Sequence, residues 1–561
     1  MLRSLVRGLR LAYWHLSELV LRILGRRPAY GILKLQLSGD FPEHAASFRL
    51  PWISGHHREE YLALLTGLRW ARDDERVRGV FIRCSDLQIG WAKVQEIRRA
   101  LQALRDAGKR VWIYSPQAGL HEYLLASVAE KVILAPSGTL EVSGLSSEAT
   151  FFAEALDKIG VDAEVVQLGK YKSAAESFTR SDMSPAHREM MESLLGDLFE
   201  QIVEVVAGSR SLDVGRTKEL LESGPFLAEQ ARQSGLLDAL QYEDQAESEL
   251  HKLLEEAPFI EFGDYYHRRQ RAARRQMLSR KLATIGLVQI VGTIKMGESI
   301  TGPDGANATG LDSVARDLVS LRERDDVAAV VLRVASPGGS GLASDLLWRE
   351  LRRIRERKPV VVSFGDVAAS GGYYVGVTGS PLLAEGGTIT GSIGVVAGKA
   401  VLRRLYDRLG VSKEMVTQGR HPGLQSDYLS LSDDERRLLQ DHAEHFYQDF
   451  VSKVAAGRAL PKASVEAVAQ GRVWTGRQAL RAGLIDQIGG LQRAIDEAKN
   501  LLGVAAETPV VLETFPKPRP IWHLPRGFGF PFGHTSVLQP WLQFVTSERI
   551  WALLPIRFKF F

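Results

Sequence analysis

Cysteine is nearly absent: Cys84 is the single one in 561 residues. That excludes an intramolecular disulfide framework and any cysteine-rich zinc site. An excess of charge of one sign is missing too, since 71 Lys and Arg stand against 67 Asp and Glu, for a net +4. A surplus that small over this length gives no electrostatic case for nucleic acid. The N-terminal segment lacks a long apolar run; its longest uncharged stretch, Leu11 to Ser17, falls well short of the roughly 20 residues of a spanning helix. No phosphate-loop pattern and no dinucleotide fingerprint occurs among the glycine-rich loops. His442 and His445 are three apart where the metalloprotease motif needs four, and read instead as one face of a surface helix. No cofactor and no metal is therefore expected. What remains is the composition of a folded protein, 45% apolar and 25% charged, long enough for three or four domains or for two with appendages.

The two ends differ from the middle. Residues 1–28 read as one amphipathic helix, with Arg3, Arg7, Arg10, Glu18 and Arg22 on one side and Leu2, Leu5, Leu9, Leu16 and Leu24 among the rest. Such a cationic helix suits the membrane interface, or docking on its own protein. Residues 504–561 form a tail rich in Pro and aromatics, including Trp522, Phe530, Trp541, Trp551 and Phe561. It suits a lipid–water boundary or an oligomer contact.

The middle repeats itself at a shift near 250 residues. Val77-Arg-Gly-Val-Phe-Ile-Arg83 matches Val327-Ala-Ala-Val-Val-Leu-Arg333, Ile159-Gly-Val161 matches Leu409-Gly-Val411, and Gly235-Leu-Leu-Asp238 matches Gly483-Leu-Ile-Asp486. Ser184-Pro185 and Ser432-Asp433 each read as a helix cap and first turn. Strands alternate with helices in each half, which predicts an α/β architecture with mostly parallel sheets. The halves are placed at 29–262 and 283–503. Between them, 263–282 reads as a basic connecting helix; His267 to Lys281 carries seven Arg or Lys and no acid.

The second half holds three glycine-rich loops, each able to line a pocket or merely to pack a sheet tightly. Ser336-Pro-Gly-Gly-Ser340 and Ala368-Ala-Ser-Gly-Gly-Tyr-Tyr374 each follow a strand, and Thr388-Ile-Thr-Gly-Ser-Ile-Gly394 is the third. A serine on a sharp strand-to-helix turn presents its hydroxyl as nucleophile elbows do, which singles out Ser370. A serine nucleophile needs a base, and no histidine is placed to supply one. Lys170 and Lys172, in Gly169-Lys-Tyr-Lys-Ser173 after a short strand, are the candidates. A lysine serves as base only where burial lowers its pKa; otherwise both are surface lysines on a loop.

These segments, with Asp182-Met-Ser-Pro185 and Gly471-Arg-Val-Trp-Thr-Gly476, together resemble signal peptide peptidase A of the long, duplicated bacterial type. The resemblance covers about residues 29–500. It implies two tandem α/β domains like those of crotonases and the Clp protease, arisen by internal duplication. It makes Ser370 the nucleophile, Lys172 the general base and Ser392 the serine that orients the lysine. Backbone N–H groups of Gly339 and Gly371 would form the oxyanion hole, with Gly338 an alternative to Gly339. At the shift of 250, Ser370 faces Leu120 and Lys172 faces Pro422, so each half keeps one member of the pair. The resemblance further implies a homotetramer, a bacterial inner-membrane association with periplasmic catalytic domains, and apolar signal-peptide fragments as substrates, with no nucleic-acid partner. The alternatives are a crotonase-like acyl-CoA enzyme and an inactive scaffold of the same fold.

Overall fold

The computed structural model describes residues 31–43, 61–279, 282–301, 307–517 and 550–553. The N-terminal segment 1–28 and most of the aromatic tail lie outside the described residues. Among the described residues no helix is long and apolar enough to cross a membrane.

The duplication is visible strand by strand. In the first half the sheet runs Phe259–Glu261, Ile32–Gly39, Gly79–Leu87, Arg110–Ser115, Lys131–Leu134, Ala239–Leu240, all parallel. In the second half Val511–Phe515, Thr284–Val291, Val327–Ser336, Val360–Ala369, Leu382–Ala384 and Gln487–Ile488 follow in the same order, again parallel. Their runs of Val, Ile and Leu are buried on both faces, as parallel strands are. Single hydrogen bonds repeat as well. Arg210 grips Asp238 at 2.7 Å while Arg458 grips Asp486 at 2.6 Å. Tyr123 Oη donates to Leu236 O and Tyr373 Oη to Leu484 O. The expected caps form too: Ser184 accepts from His187 N–H ahead of helix Pro185–Arg210, and Ser432 from Glu435 N–H ahead of helix Asp433–Arg458.

The halves share one core. Leu491, Ala494, Ile495 and Ala498 of helix Leu491–Leu501 pack in the first half's cluster, and so do Ile285, Leu287, Ala329 and Val331. Charge fixes the register of this contact. Arg333 is wholly buried and reaches Glu43 at 3.1 Å and Glu96 at 3.4 Å across the interface. It also donates to Ser363 Oγ at 2.8 Å. Tyr61 Oη donates to Glu96 at 2.6 Å. The counterpart Arg83 instead pairs with Glu243 at a half-exposed edge. Removing one partner of a buried pair strands the other charge. Arg333→Leu is therefore expected to cost about 3–5 kcal/mol, and Arg83→Leu at most about 1 kcal/mol. Urea unfolding of both variants checks the contrast.

A third sheet joins the halves at the site. Its order is Ile300–Thr301, Asn307–Gly310, Thr293–Lys295, Gly338–Ser340, Ile550–Leu553, Val395–Val401, Asp162–Leu168. The last pairing is antiparallel and runs over seven residue pairs, from Val395 with Leu168 to Val401 with Asp162. It brings the first half's lysine loop onto the second half.

Candidate active site

Strand Asp162–Leu168 ends at Gly169, and the chain turns inward. Tyr171 N–H donates to Gln470 O at 2.8 Å, so a turn of the second half holds this loop. The turn makes Lys170 and Lys172 different. The Lys170 side chain is 62% exposed and lies 3.6 Å from Glu189. Lys172 is wholly buried. Its Nζ lies 2.8 Å from Ser370 Oγ, 3.0 Å from Ser392 Oγ and 3.1 Å from Ser392 O. Burial alone drives the Lys172 pKa well below the ordinary lysine value, with no carboxylate to offset it.

Ser370 stands between strand Val360–Ala369 and helix Gly371–Gly376 with φ 55° and ψ −117°. A non-glycine residue held there costs about 1–3 kcal/mol, and such strain collects at functional sites. Ser370 N–H donates to Gly391 O at 2.8 Å, which ties the serine turn to the third glycine loop. That loop places Ser392 at φ 53°, its N–H donating to Arg472 O at 2.7 Å. In the first half the matching turn has no such kink: helix Leu120–Ala126 begins on Leu120 itself, after Gly119 at φ −80°. Pro422 lies exposed on the surface. One complete pair thus arises from the two halves of a single chain.

Of the glycines expected at an oxyanion hole, Gly371 follows Ser370 directly, and strand Gly338–Ser340 lies against helix Gly371–Gly376. Gly371 is the first residue of that helix. A Cβ on Gly339 would lie 2.0 Å from Ile294 O, so only glycine fits there. Gly338 N–H is engaged by Ser336 Oγ at 3.1 Å.

Two features were not singled out from sequence. Glu176 accepts from Ser184 Oγ at 2.6 Å and Ser184 N–H at 3.1 Å, and lies 3.0 Å from His187 Nδ1. It thereby joins the lysine loop to the segment Asp182-Met-Ser-Pro185. Gly471, at φ +75°, backs directly onto Lys172; a Cβ there would lie 2.6 Å from the Lys172 Cα, Cβ and N. Gly471→Ala is expected to push the lysine aside and lower kcat about 100-fold, since displacements near 1 Å cost that much. Steady-state kinetics checks it, with an unchanged circular dichroism spectrum as the control for folding.

A buried lysine thus lies against a serine on a strained strand-to-helix turn, an arrangement able to activate a serine nucleophile. This chain belongs to peptidase family S49, which it matches twice, over residues 103–256 and 352–505. Those matches start 249 residues apart, the period of the internal repeat. Serine protease SPPA, chloroplastic, of Arabidopsis thaliana is 33% identical over 79% of this chain and 66% of that protein. Protease 4 of Haemophilus influenzae is 32% identical over 82% of this chain and 76% of its own length. A Clp protease of Listeria monocytogenes aligns over 37% of this chain and 94% of its own, at 11% identity and a TM-score of 0.25. The fold class rests on the twofold family match and the repeated parallel sheets, not on that alignment. The protein is a serine peptidase of tandem α/β architecture, which sets aside the acyl-CoA alternative.

Proposed function

We propose that Ser370 and Lys172 form the catalytic pair, and that the substrates are apolar peptides such as signal-peptide remnants at a membrane. The observation that carries this is the set of three contacts of the Lys172 Nζ. A neutral amine has one lone pair and two N–H groups. The lone pair takes the Ser370 hydroxyl proton, while the two N–H groups donate to Ser392 Oγ and Ser392 O. Three oxygens would satisfy an ammonium as well, so it is burial, which lowers the Lys172 pKa, that favours the neutral form a base requires.

The steps follow. Lys172 takes the Ser370 proton as Oγ attacks the substrate carbonyl carbon. The N–H groups of Gly339 and Gly371 stabilise the resulting oxyanion, the contribution usually largest in acyl transfer. The Lys172 ammonium then protonates the leaving amine. Water, deprotonated by Lys172, hydrolyses the acyl-serine ester and frees the enzyme. Retention of all three side chains speaks against an inactive scaffold.

The proposed setting is a homotetramer on the bacterial inner membrane, with the amphipathic segment 1–28 as anchor and the catalytic halves on the periplasmic side. An edge left over by the duplication supports the assembly. Strand Asp162–Leu168 pairs with Val395–Val401 inside the chain. Their counterparts at the repeat shift, 412–418 and 145–151, have no ladder partner among the described residues. Met415 and Val416 lie exposed on the first of them, Val416 completely, whereas its counterpart Val166 is buried. Pairing of 412–418 with 145–151 of a second copy would repeat the intrachain contact head to tail, the kind of contact that builds a ring when the rotation between copies closes. Val416→Glu is expected to shift the particle to lower mass in sedimentation.

The function itself is tested by hydrolysis of an internally quenched apolar peptide in mixed micelles. Cleavage lost in Ser370→Ala supports the reading. Cleavage that survives in Ser370→Ala contradicts it.

A further inference from the structure

The site sheet holds a strand that the catalytic scheme does not use. Ile550–Leu553, from the aromatic tail, lies between Gly338–Ser340 and Val395–Val401. It is antiparallel to both. Trp551 stands opposite Ser340, Ala552 opposite Gly339 and Leu553 opposite Gly338. On the other side Ile550 stands opposite Ala397 and Trp551 opposite Val396.

These two flanking strands border the site. One contains Gly339, and the other begins three residues after Ser392. Without an occupant they would be two edges about 9–10 Å apart, twice the usual strand spacing. Such a slot admits one extended chain and offers it ladder bonds on both sides, which is strand addition of the kind that binds peptides by their backbone. The direction is also that of a substrate. From Ile550 to Leu553 the tail advances from Ala397 back toward Val395 and from Ser340 back toward Gly338, so it runs toward Ser392 and Ser370. Helix Gly371–Gly376 lies against the same strand.

We infer that residues 550–553 are a resident peptide ligand: the chain's own tail fills the acyl side of the substrate slot and competes with incoming peptides. The inference rests on the serine–lysine reading of the site. Because the backbone supplies the contacts, the slot takes extended peptides with little regard to sequence, and the tail is one of them. A tail tethered in cis holds the slot at a fixed occupancy whatever the enzyme concentration. Populated about ten to one, it raises the apparent KM about ten-fold and leaves kcat at saturation unchanged.

The test compares three proteins with one quenched apolar peptide: the full chain, the chain ending at Arg549, and the full chain carrying Trp551→Pro with Ala552→Pro. Two prolines remove the N–H donors and keep the tail's length, so the comparison stands even if the shortened chain folds badly. A KM about ten-fold lower in both altered proteins, at unchanged kcat, is the expected result. A synthetic peptide of residues 546–554 should then inhibit them competitively. Equal KM values in all three, or no inhibition by the peptide, overturn the inference. Absence of hydrolysis by all three would instead contradict the peptidase reading beneath it.

Discussion

Ser370→Ala and Lys172→Ala are each expected to lower kcat/KM by roughly 10⁴-fold or more, the scale on which members of a nucleophile–base pair act. The double variant should lose little beyond either single one, because neither residue works without the other. Lys170→Ala should change kcat/KM less than about three-fold. Its ammonium is in solvent beside Glu189, and the loop's path is set by backbone N–H groups of Lys170 and Tyr171 that donate to the Gln470 side chain and carbonyl. The expected contrast between two lysines only two positions apart is a demanding one. A merely structural role for the loop would make both substitutions harmful through misfolding, which urea unfolding would reveal.

The second large effect is on stability against pH. Burial lowers the Lys172 pKa in the folded chain, while the unfolded chain keeps the ordinary value near 10.4. The unfolded state therefore binds this proton more tightly. Stability is lost as pH falls below the unfolded pKa, and the loss is complete once pH passes below the folded pKa. Each pKa unit of depression costs about 1.4 kcal/mol. Lys172→Met removes the penalty and nearly keeps the volume, so this dead enzyme should be the more stable one at neutral pH. The difference should shrink as pH rises toward 10. Ser370→Ala should keep the slope. Urea unfolding of the three proteins across pH 6–10 measures it. In activity, the same lysine makes kcat/KM rise with pH through its folded pKa.

Much of this was legible in the chain itself, for stated reasons. The duplication was, because short apolar runs ending in Arg83 and Arg333 and the turns at Gly235 and Gly483 recur at nearly one spacing. The serine was, because small residues flank it directly after a strand. The choice between Lys170 and Lys172 came through the resemblance. Positions two apart point the same way on a strand, so alternation cannot separate them. What separates them is the turn that Gly169 starts and Gln470 holds. Gly471 lay in a recognised motif, yet its contact with Lys172 is made across the interface between the halves and leaves no local signal. The same is true of Arg333. It matches Arg83 in the repeat, but only the second half's arginine meets Glu43 and Glu96. The strand at 550–553 was hidden for a third reason: a segment rich in aromatics reads as an interface, and its backbone role inside the sheet has no compositional mark.

The central claim is that Lys172, and no histidine, activates Ser370. Labelling by a fluorophosphonate, followed by mapping of the modified peptide, tests it most directly. The account predicts a label on Ser370 in the full chain, a labelling rate that climbs with pH, and no label in Lys172→Met. A label on another serine, or on Ser370 at an undiminished rate in Lys172→Met with an apparent pKa near 6.5, would contradict it.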